Sequence, residues 1–298
     1  MSGHTQKLYI GIFCAIIASF LLALLNVCSK ILTEQLDPIM IGFWRNVIAL
    51  PILIIGMITF KKIHLMKTKR PMAQAVRATL GTIGLIMAAW TFQLMPITEG
   101  VVLSFSSPFF VILLSYPLLG EKVGIYRIGA TMLGLVGVVI MIGFDQSVLT
   151  SKGIAVGMAF AFFNGLVLVM LRQLGKTEHA LTTVFYFLTF GLIITAPYAT
   201  FADIVIPDQF YWPYLLGLGS AGLSSLIFKT ESFRHAPASV IAPIAYSILI
   251  WSAVLDFLIW NHVASHNIWL GATIIILSNI IILWREHTKS KTKQTLQV

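Results

Sequence analysis

Long apolar segments fill most of the chain, and short polar stretches separate them. Ten of these segments are close to the length, about 20 residues, that a helix needs to cross the hydrocarbon core of a bilayer. Their predicted bounds are 8–29, 38–60, 74–94, 97–119, 124–142, 153–173, 181–202, 212–233, 238–260 and 267–284. The pattern therefore predicts an all-α polytopic membrane protein with ten transmembrane helices and no separate soluble domain.

The fourth and ninth predicted spans carry polar residues and a proline in their middle. The fourth follows a turn at Pro96 and holds Ser104 to Pro108, and the ninth follows a turn at Pro237 and holds Pro243 to Ser247. Proline frees backbone carbonyls in a membrane helix, which is tolerated where the backbone lines a cavity or packs on neighbours. We expect the two polar middles to meet across one central cavity.

These two spans, with the proline turns before them, belong to a repeat with an offset of 141 or 142 residues. The matching positions are Phe43-Trp44 with Phe185-Tyr186, Lys30 with Arg172, Phe92 and Pro96 with Phe233 and Pro237, and Gly129-Ala130-Thr131 with Gly271-Ala272-Thr273. Each half, 1–147 and 148–298, thus holds five spans, so the second half enters the membrane from the opposite side. The sequence predicts two inverted five-helix repeats with a substrate site between them, as in many secondary transporters.

Composition supports a lipid environment. The chain is 58% hydrophobic and 10% charged, whereas soluble domains carry about 25% charged residues. The two cysteines, Cys14 and Cys28, both lie in the first apolar segment. We expect them to be small buried residues, since a disulfide framework or a zinc site needs more ligands. No metal and no cofactor are predicted.

The distribution of charge predicts the topology. Ten spans place both termini on one side of the membrane, and sixteen of the twenty basic residues fall on that side. They are Lys7, Lys61, Lys62, Lys67, Lys69, Arg70, Arg77, Lys122, Arg127, Arg172, Lys176, Arg234, Arg285, Lys289, Lys291 and Lys293. By the positive-inside rule both termini are cytoplasmic. The net charge of +9 then reflects the topology, because the basic loops lie against anionic lipid. No nucleic-acid partner is expected.

The sequence resembles the EamA-type branch of the drug/metabolite transporter superfamily over nearly its full length. The residues that carry the resemblance are Phe43-Trp44-Arg45 with Leu50-Pro51, Thr98 to Glu121 with its closing Gly120-Glu121, and Phe233 to Ser239 leading to Pro243, Tyr246, Ser247 and Trp251. The resemblance implies ten helices, a central cavity and alternating access. It places the chain beside bacterial permeases for riboflavin or S-adenosylmethionine and exporters of amino acids or metabolites. The second half departs from the family with Asn261-His262 where Gly-Glu is common.

Charged residues inside predicted spans are candidates for function, because they are costly in lipid. Arg45 lies seven residues past Pro38, about 10 Å into the bilayer. It would bind a substrate carboxylate or phosphate, or pair structurally with helix-end carbonyls or with an acid such as Glu34 or Asp37.

Lys229 and Glu231 lie two residues apart near the end of the eighth span, so they point in nearly opposite directions. Glu231, which matches Trp90 in the repeat, is the candidate for a charged substrate contact or a proton carrier. Lys229 would line the cavity or reach the headgroups. Asp256 would cap or pair locally, or protonate during transport, and Glu99 fits a helix N-terminus, where a carboxylate offsets the dipole.

Uncharged groups complete the predicted substrate site. Hydroxyls, amides and indole rings at this depth would bind or stack on a substrate, or simply pack. They are Ser104, Ser107, Tyr246, Asn26, Asn164, Trp44, Trp90 and Trp251.

Other functional classes fit the sequence less well. An intramembrane serine peptidase would want G-x-S-x-G around Ser220, but position 218 is leucine, and H-E-x-x-H is absent. A channel would want a ring of charge repeated by oligomerisation. We therefore predict a non-enzymatic carrier of a small molecule with protons as the candidate coupling ion and a homodimer as the candidate assembly. Import, and export of drugs or amino acids, both remain open.

Overall fold

A computed structural model describes residues 2–107, 109–111, 113–114, 125–143, 150–174, 177–202, 204–235, 244 and 246–295. Ten α-helices lie in this part of the chain. They are α1 (Ser2–Leu32), α2 (Pro38–Thr59), α3 (Pro71–Leu94), α4 (Ile97–Ser104), α5 (Ile125–Gly143), α6 (Ser151–Leu174), α7 (Ala180–Phe201), α8 (Trp212–His235), α9 (Ser247–Trp260) and α10 (His266–Thr295). Short 3₁₀ helices at Ile63–Met66 and Gln209–Tyr211 lie in two of the connections.

Five of the described helices are long and apolar enough to cross a membrane. They contain the segments Tyr9–Leu32, Pro38–Thr59, Pro71–Leu94, Ser151–Leu171 and Ala180–Phe201. The fold is that of a multi-pass membrane protein, as the apolar pattern predicts. Helix starts follow from local chemistry: Asp37 accepts hydrogen bonds from the backbone nitrogens of Ile39 and Met40 at 2.8 and 3.0 Å, and Pro38 and Pro71 occupy first-turn positions where a missing N–H costs nothing.

The fourth predicted span, 97–119, is not one regular helix. α4 ends at Ser104, where Phe105 and Ser106 donate backbone hydrogen bonds three residues back, to Val102 and Leu103. A proline at position 108 cannot donate to the Ser104 carbonyl four residues earlier. The Ser107 hydroxyl donates to that carbonyl instead. Residues 107, 109–111 and 113–114 are helical, and residues 115–119 lie outside the described part.

The ninth span also differs from its predicted bounds of 238–260. α9 begins at Ser247, after Tyr246, and ends at Trp260. Asn261 follows in the left-handed conformation with φ of 52°, which a short polar side chain tolerates better than most. The predicted turn at Pro237 and the residue Pro243 lie outside the described residues.

Helices of the first five pack mainly on helices of the second five. The nine main pairs between the halves are α1 with α8, α3 with α6, α2 with α7, α4 with α9, α5 with α10, α3 with α7, α2 with α8, α1 with α9 and α4 with α6, and α4 also contacts α10. Exchanging each helix for its counterpart five places away in the other half leaves these nine pairs unchanged. The substrate site predicted between the halves would therefore lie among α1 to α4 and α6 to α9.

The connections 33–37, 95–96, 204–211 and 261–265 lie together at the end of the bundle away from both chain termini, which we call the far end. Small residues on α6 allow close packing nearby. A Cβ added at Gly157 would lie 2.6 Å from the Leu103 side chain, and one added at Gly165 would lie 2.8 Å from Phe110 and 3.1 Å from the Ser107 carbonyl oxygen. The small stripe on α6 thus serves helix packing.

Candidate functional site

A cavity of about 30 Å³ lies between α1, α2, α3 and α8. It is lined by Leu25, Asn26, Ser29, Ile41, Arg45, Leu85, Ala88, Ala89, Phe92 and Leu218. This volume admits about one water molecule, whereas pockets for small molecules measure about 300–1,000 Å³. Two predicted site residues, Asn26 and Arg45, therefore meet at a cavity that would have to open before a metabolite could enter.

Arg45 has no polar partner among the described residues. Its Nε and Nη1 atoms are buried without a hydrogen bond, and its Cζ lies 5.2 Å from the centre of the Phe187 ring. The acids expected to pair with it are engaged elsewhere: Glu34 accepts from the Tyr211 hydroxyl at 2.8 Å, and Asp37 caps α2. Arg45 therefore pairs with neither Glu34 nor Asp37.

Arg77 is a residue that the sequence analysis assigned to a basic loop. It lies inside α3, six residues past its first residue, and is only 7% exposed. Its Cζ lies 4.5 Å from the centre of the same Phe187 ring, and its Nε and Nη1 atoms have no hydrogen-bond partner. The sequence signal that could have identified Arg77 as a buried residue was its position within the predicted span 74–94. Two arginines thus share one aromatic ring between α2, α3 and α7.

Ser107 and Asn164 join the two halves of the chain. The Asn164 Nδ2 donates to the Ser107 hydroxyl at 3.0 Å, and Ser107 donates to the Ser104 carbonyl. The Ser104 hydroxyl donates to the Val101 carbonyl oxygen at 2.7 Å. The hydroxyls of Ser104 and Ser107 thus satisfy backbone carbonyls, and that of Ser107 also accepts from α6. The buried Ser106 hydroxyl has no hydrogen-bond partner among the described residues.

Aromatic residues bring the two polar middles into contact. The ring of Tyr246 packs edge-to-face on Phe105, with centroids 5.1 Å apart. Trp251, one turn further along α9, packs on Phe20 of α1 at 5.3 Å, and its buried Nε1 has no hydrogen-bond partner in the described part of the chain. The two middles therefore contact each other at Phe105 and Tyr246, whereas the described cavity lies between α1, α2, α3 and α8.

The remaining predicted site residues lie apart from the cavity. The Trp44 Nε1 donates to the Val205 carbonyl oxygen at 3.0 Å, at the far end. Lys152 lies over the ring of Trp90 at 5.4 Å.

Lys229 and Glu231 lie near the opposite end of α8. Lys229 is exposed, and the Glu231 carboxylate lies 3.8 Å from the Nδ1 of His235, one turn later on the same helix. Neither residue lines the 30 Å³ cavity.

Asp256 ties the second half of the chain to the first at the far end. Its carboxylate accepts hydrogen bonds from the backbone nitrogens of Ile97 and Thr98 at 3.3 and 2.7 Å, and from the Thr98 hydroxyl at 2.6 Å. The Nζ of Lys30 lies 3.9 Å from the same carboxylate and 4.5 Å from the ring of Trp260. Asp256 is therefore a helix cap, as one expectation had it, but for α4 rather than for its own helix.

Glu99 makes a second contact beside this cap. Its side chain is fully buried, with Oε1 at 2.8 Å from the Nε2 of His262 and with Oε2 unpartnered in the described structure. His262 directly follows the left-handed Asn261 that ends α9. The position at which the sequence departs from the family, Asn261-His262, thus forms a contact between the halves.

A third group of contacts joins the connections at the far end. Gln35 and Asp208 exchange two hydrogen bonds, of 2.6 and 2.9 Å. The Tyr211 hydroxyl donates to Glu34, and this hydrogen bond to a carboxylate raises the pKa of Tyr211. The far end is therefore held together by polar contacts from both halves.

No group of three or more histidine, cysteine, aspartate or glutamate side chains in the described ranges is placed to hold a metal ion. The chemistry of the site consists of two guanidinium groups, amides, hydroxyls and aromatic rings, and the Nε and Nη1 atoms of both guanidinium groups lack hydrogen-bond partners among the described residues.

Comparison with known proteins identifies the pattern. The sequence pattern described as "EamA-like transporter family" matches the chain twice, over residues 9–143 and 151–284. The S-adenosylmethionine uptake transporter of Rickettsia prowazekii is 27% identical over 299 residues, covering 98% of each chain. The pseudopaline exporter CntI of Pseudomonas aeruginosa is 27% identical, covering 91% of this chain and 95% of its own.

A third relative and a solved structure extend the likeness. The riboflavin transporter of Brucella anthropi is 26% identical, covering 85% of this chain and 90% of its own. One solved crystal structure shares the fold with a TM-score of 0.63 and 16% identity, covering 93% of this chain and 96% of its own.

Proposed function

The chain belongs to the EamA-like transporter family, and from this premise we propose that it is a secondary transporter that works by alternating access. Its family and its relatives make it a membrane transporter of small metabolites rather than an enzyme. In the proposal, a site between two inverted five-helix halves faces the two sides of a bacterial inner membrane in turn.

The two-half arrangement is supported by two independent features. The family pattern matches once before residue 143 and once after residue 151. The nine main helix pairs between the halves are unchanged when the two halves are exchanged. Such symmetry suits a carrier, because exchanging the conformations of the halves turns an outward-open state into an inward-open state of similar energy.

The observation that carries the proposal is the closure of the far end by residues from both halves. Asp256 caps α4, Glu99 contacts His262, and Gln35 contacts Asp208. All three contacts cross between the halves, so a rocking of one half against the other would break them together. The excess of basic residues on the termini side supports a far end that faces away from the cytoplasm.

We assign substrate contacts to the groups that lie at the interface of the halves. Arg45 and Asn26 border the cavity. Ser107 with Asn164, and Tyr246, lie where α4 and α9 meet the opposite half. Glu231, near the termini side of α8, is the proposed proton carrier.

The proposal is tested with the purified full chain. A thermal-shift screen against amino acids, nucleosides, flavins and S-adenosylmethionine selects solutes that stabilise the protein. Each solute that does so is then tested for uptake and counterflow in proteoliposomes, with and without a proton gradient. We expect saturable countertransport, and Glu231→Gln should reduce the rate or its pH response. A complete lack of saturable, countertransported solute would contradict the transporter proposal, whereas normal kinetics in the variant would remove only Glu231.

A further inference from the structure

The arginines that share the Phe187 ring point to the chemical class of the substrate, an inference that rests on the proposed transport function. We propose that Arg45 and Arg77 form a paired cationic subsite for the carboxylate or phosphate group of the transported metabolite. The substrate is then an anion or a zwitterion, and not an uncharged molecule.

The geometry brings both charges to one place inside the bundle. The Cζ atoms of Arg45 and Arg77 lie 5.2 and 4.5 Å from the centre of the Phe187 ring. Two glycines allow these side chains to pack closely on neighbouring helices. A Cβ added at Gly222 would lie 3.3 Å from the Arg45 Nε, and one added at Gly81 would lie 2.9 Å from the Phe187 ring. Three helices, α2, α3 and α7, thus hold the two guanidinium groups against one aromatic ring.

The three helices that hold the two arginines and the Phe187 ring carry no acidic side chain. None of α2, α3 and α7 contains an aspartate or a glutamate. The acid of α8, Glu231, is nine residues beyond Gly222, about 13 Å further along the axis. The Nε and Nη1 atoms of both arginines are buried, and none of these four atoms has a hydrogen-bond partner among the described residues.

An unpaired buried charge is costly, so a counter-charge is expected from outside the chain. Contact with Phe187 alone does not supply it, because a ring face attracts a cation only moderately and two like charges beside it repel each other. The planar guanidinium fork matches a carboxylate or a phosphate with two parallel hydrogen bonds. Arg45 also borders the cavity that Asn26 and Ser29 line, which gives an anion a route from the cavity to the pair.

The test uses two pairs of solutes that differ in one anionic group. S-adenosylmethionine is compared with its decarboxylated analogue, and riboflavin 5′-phosphate is compared with riboflavin. Thermal unfolding of the purified full chain is followed at constant ionic strength for wild type, Arg45→Gln, Arg77→Gln and Arg77→Lys. Arg70→Gln is the matched control, because Arg70 is exposed and directly precedes α3.

We expect the anion-bearing member of at least one pair to raise Tm and its partner to have little effect. Arg45→Gln and Arg77→Gln should weaken the apparent affinity by about tenfold or more, Arg77→Lys should give an intermediate loss, and Arg70→Gln should leave it unchanged. The inference is overturned if no anionic solute shifts Tm of the wild type, if every solute that raises Tm is matched by its partner without the anionic group, or if the shift survives in both glutamine variants.

Unfolding without any solute separates a binding role from a structural one. Removing an unpaired buried charge should leave the solute-free Tm of Arg77→Gln unchanged or raised. A fall of several degrees would mean that Arg77 stabilises the fold and would overturn the inference. The transport proposal is tested separately by counterflow in proteoliposomes. It fails if no solute shows saturable countertransport, and this result does not depend on how the arginine variants behave.

Discussion

Asp256 and Thr98 are 158 residues apart in the chain, and their side chains lie 2.6 Å from each other. The same carboxylate accepts the Thr98 backbone N–H at 2.7 Å, so it caps a helix of the first half from a helix of the second. Helix N-termini attract carboxylates because their first N–H groups are unpaired and carry partial positive charge. This single residue therefore couples α4 to α9.

Removal of the Asp256 carboxylate should destabilise the protein. We expect Asp256→Ala to lower the free energy of unfolding by about 2 kcal/mol, since it removes a cap and leaves Lys30 without its carboxylate. Asp256→Asn should cost less, because the amide oxygen still accepts a hydrogen bond. Thermal unfolding in detergent measures both. Adding Lys30→Met should recover part of the loss in Asp256→Ala, and equal stability of Asp256→Ala and wild type would contradict the capping role.

Glu99 and His262 should show energetic coupling in a double-mutant cycle. The contact is 2.8 Å long and Glu99 is fully buried, so we expect Glu99→Gln and His262→Asn to couple by about 1–3 kcal/mol in stability. The chain offers a matched control in Glu231 and His235, which lie 3.8 Å apart and are partly exposed. That pair should couple by less than about 0.5 kcal/mol. Similar coupling in both pairs would contradict a specific contact at the far end.

Removal of the Ser107 hydroxyl should lower the thermal stability of the protein. Ser107→Ala leaves the Asn164 amide without its acceptor and the Ser104 carbonyl without its donor. A buried polar group left unpaired costs about 1–3 kcal/mol, so Tm should fall clearly. Ser107→Thr keeps the hydroxyl and serves as the control. A serine-to-alanine change that has no effect on Tm would mean that water or another group replaces both hydrogen bonds.

Close packing at Gly165 should also be measurable. A Cβ at this position would meet backbone atoms of Ser107 and Val111 at 3.1 and 3.4 Å as well as Phe110. We expect Gly165→Ala to cost about 1–3 kcal/mol through overpacking. Gly129→Ala is the control, because nothing lies within 4 Å of a Cβ added there; helix propensity predicts that it is neutral or stabilising. Equal effects of the two substitutions on Tm would contradict the packing of α6 on this segment.

Much of the fold follows from the length and spacing of apolar segments. The bounds of α2, α3 and α7 were predicted to within a few residues, because each spans a bilayer and begins at a capping residue or a proline. The end of α4 at Ser104 was not predicted, since the sequence shows the proline at 108 but not where the chain will replace its lost hydrogen bond. Local rules give the element, and tertiary contacts set its end.

The site was predicted less completely, for a physical reason. Arg45 and Asn26 were singled out because polar residues within spans are conspicuous, and both line the cavity. Arg77 was not singled out because it lies near a predicted span end, where a basic residue normally reaches the headgroups. The partner of Asp256 lies 158 residues away, and no local pattern predicts such a distant contact. His262 appeared only as a departure from the family, and its contact with Glu99 is visible only in three dimensions.

Alternating access is tested most directly by the accessibility of Ser29, which is buried and borders the cavity. In proteoliposomes of known orientation, Ser29→Cys is placed in a Cys14→Ala/Cys28→Ala background and exposed to a membrane-impermeant maleimide from each side. Adding Gln35→Cys and Asp208→Cys, whose side chains contact each other across the halves, allows the far end to be locked by a disulfide. We predict labelling from both sides in the unlocked protein, and labelling only from the termini side once the disulfide forms. Undiminished labelling from the far side in the locked protein, or no labelling from either side in the unlocked one, would contradict the account.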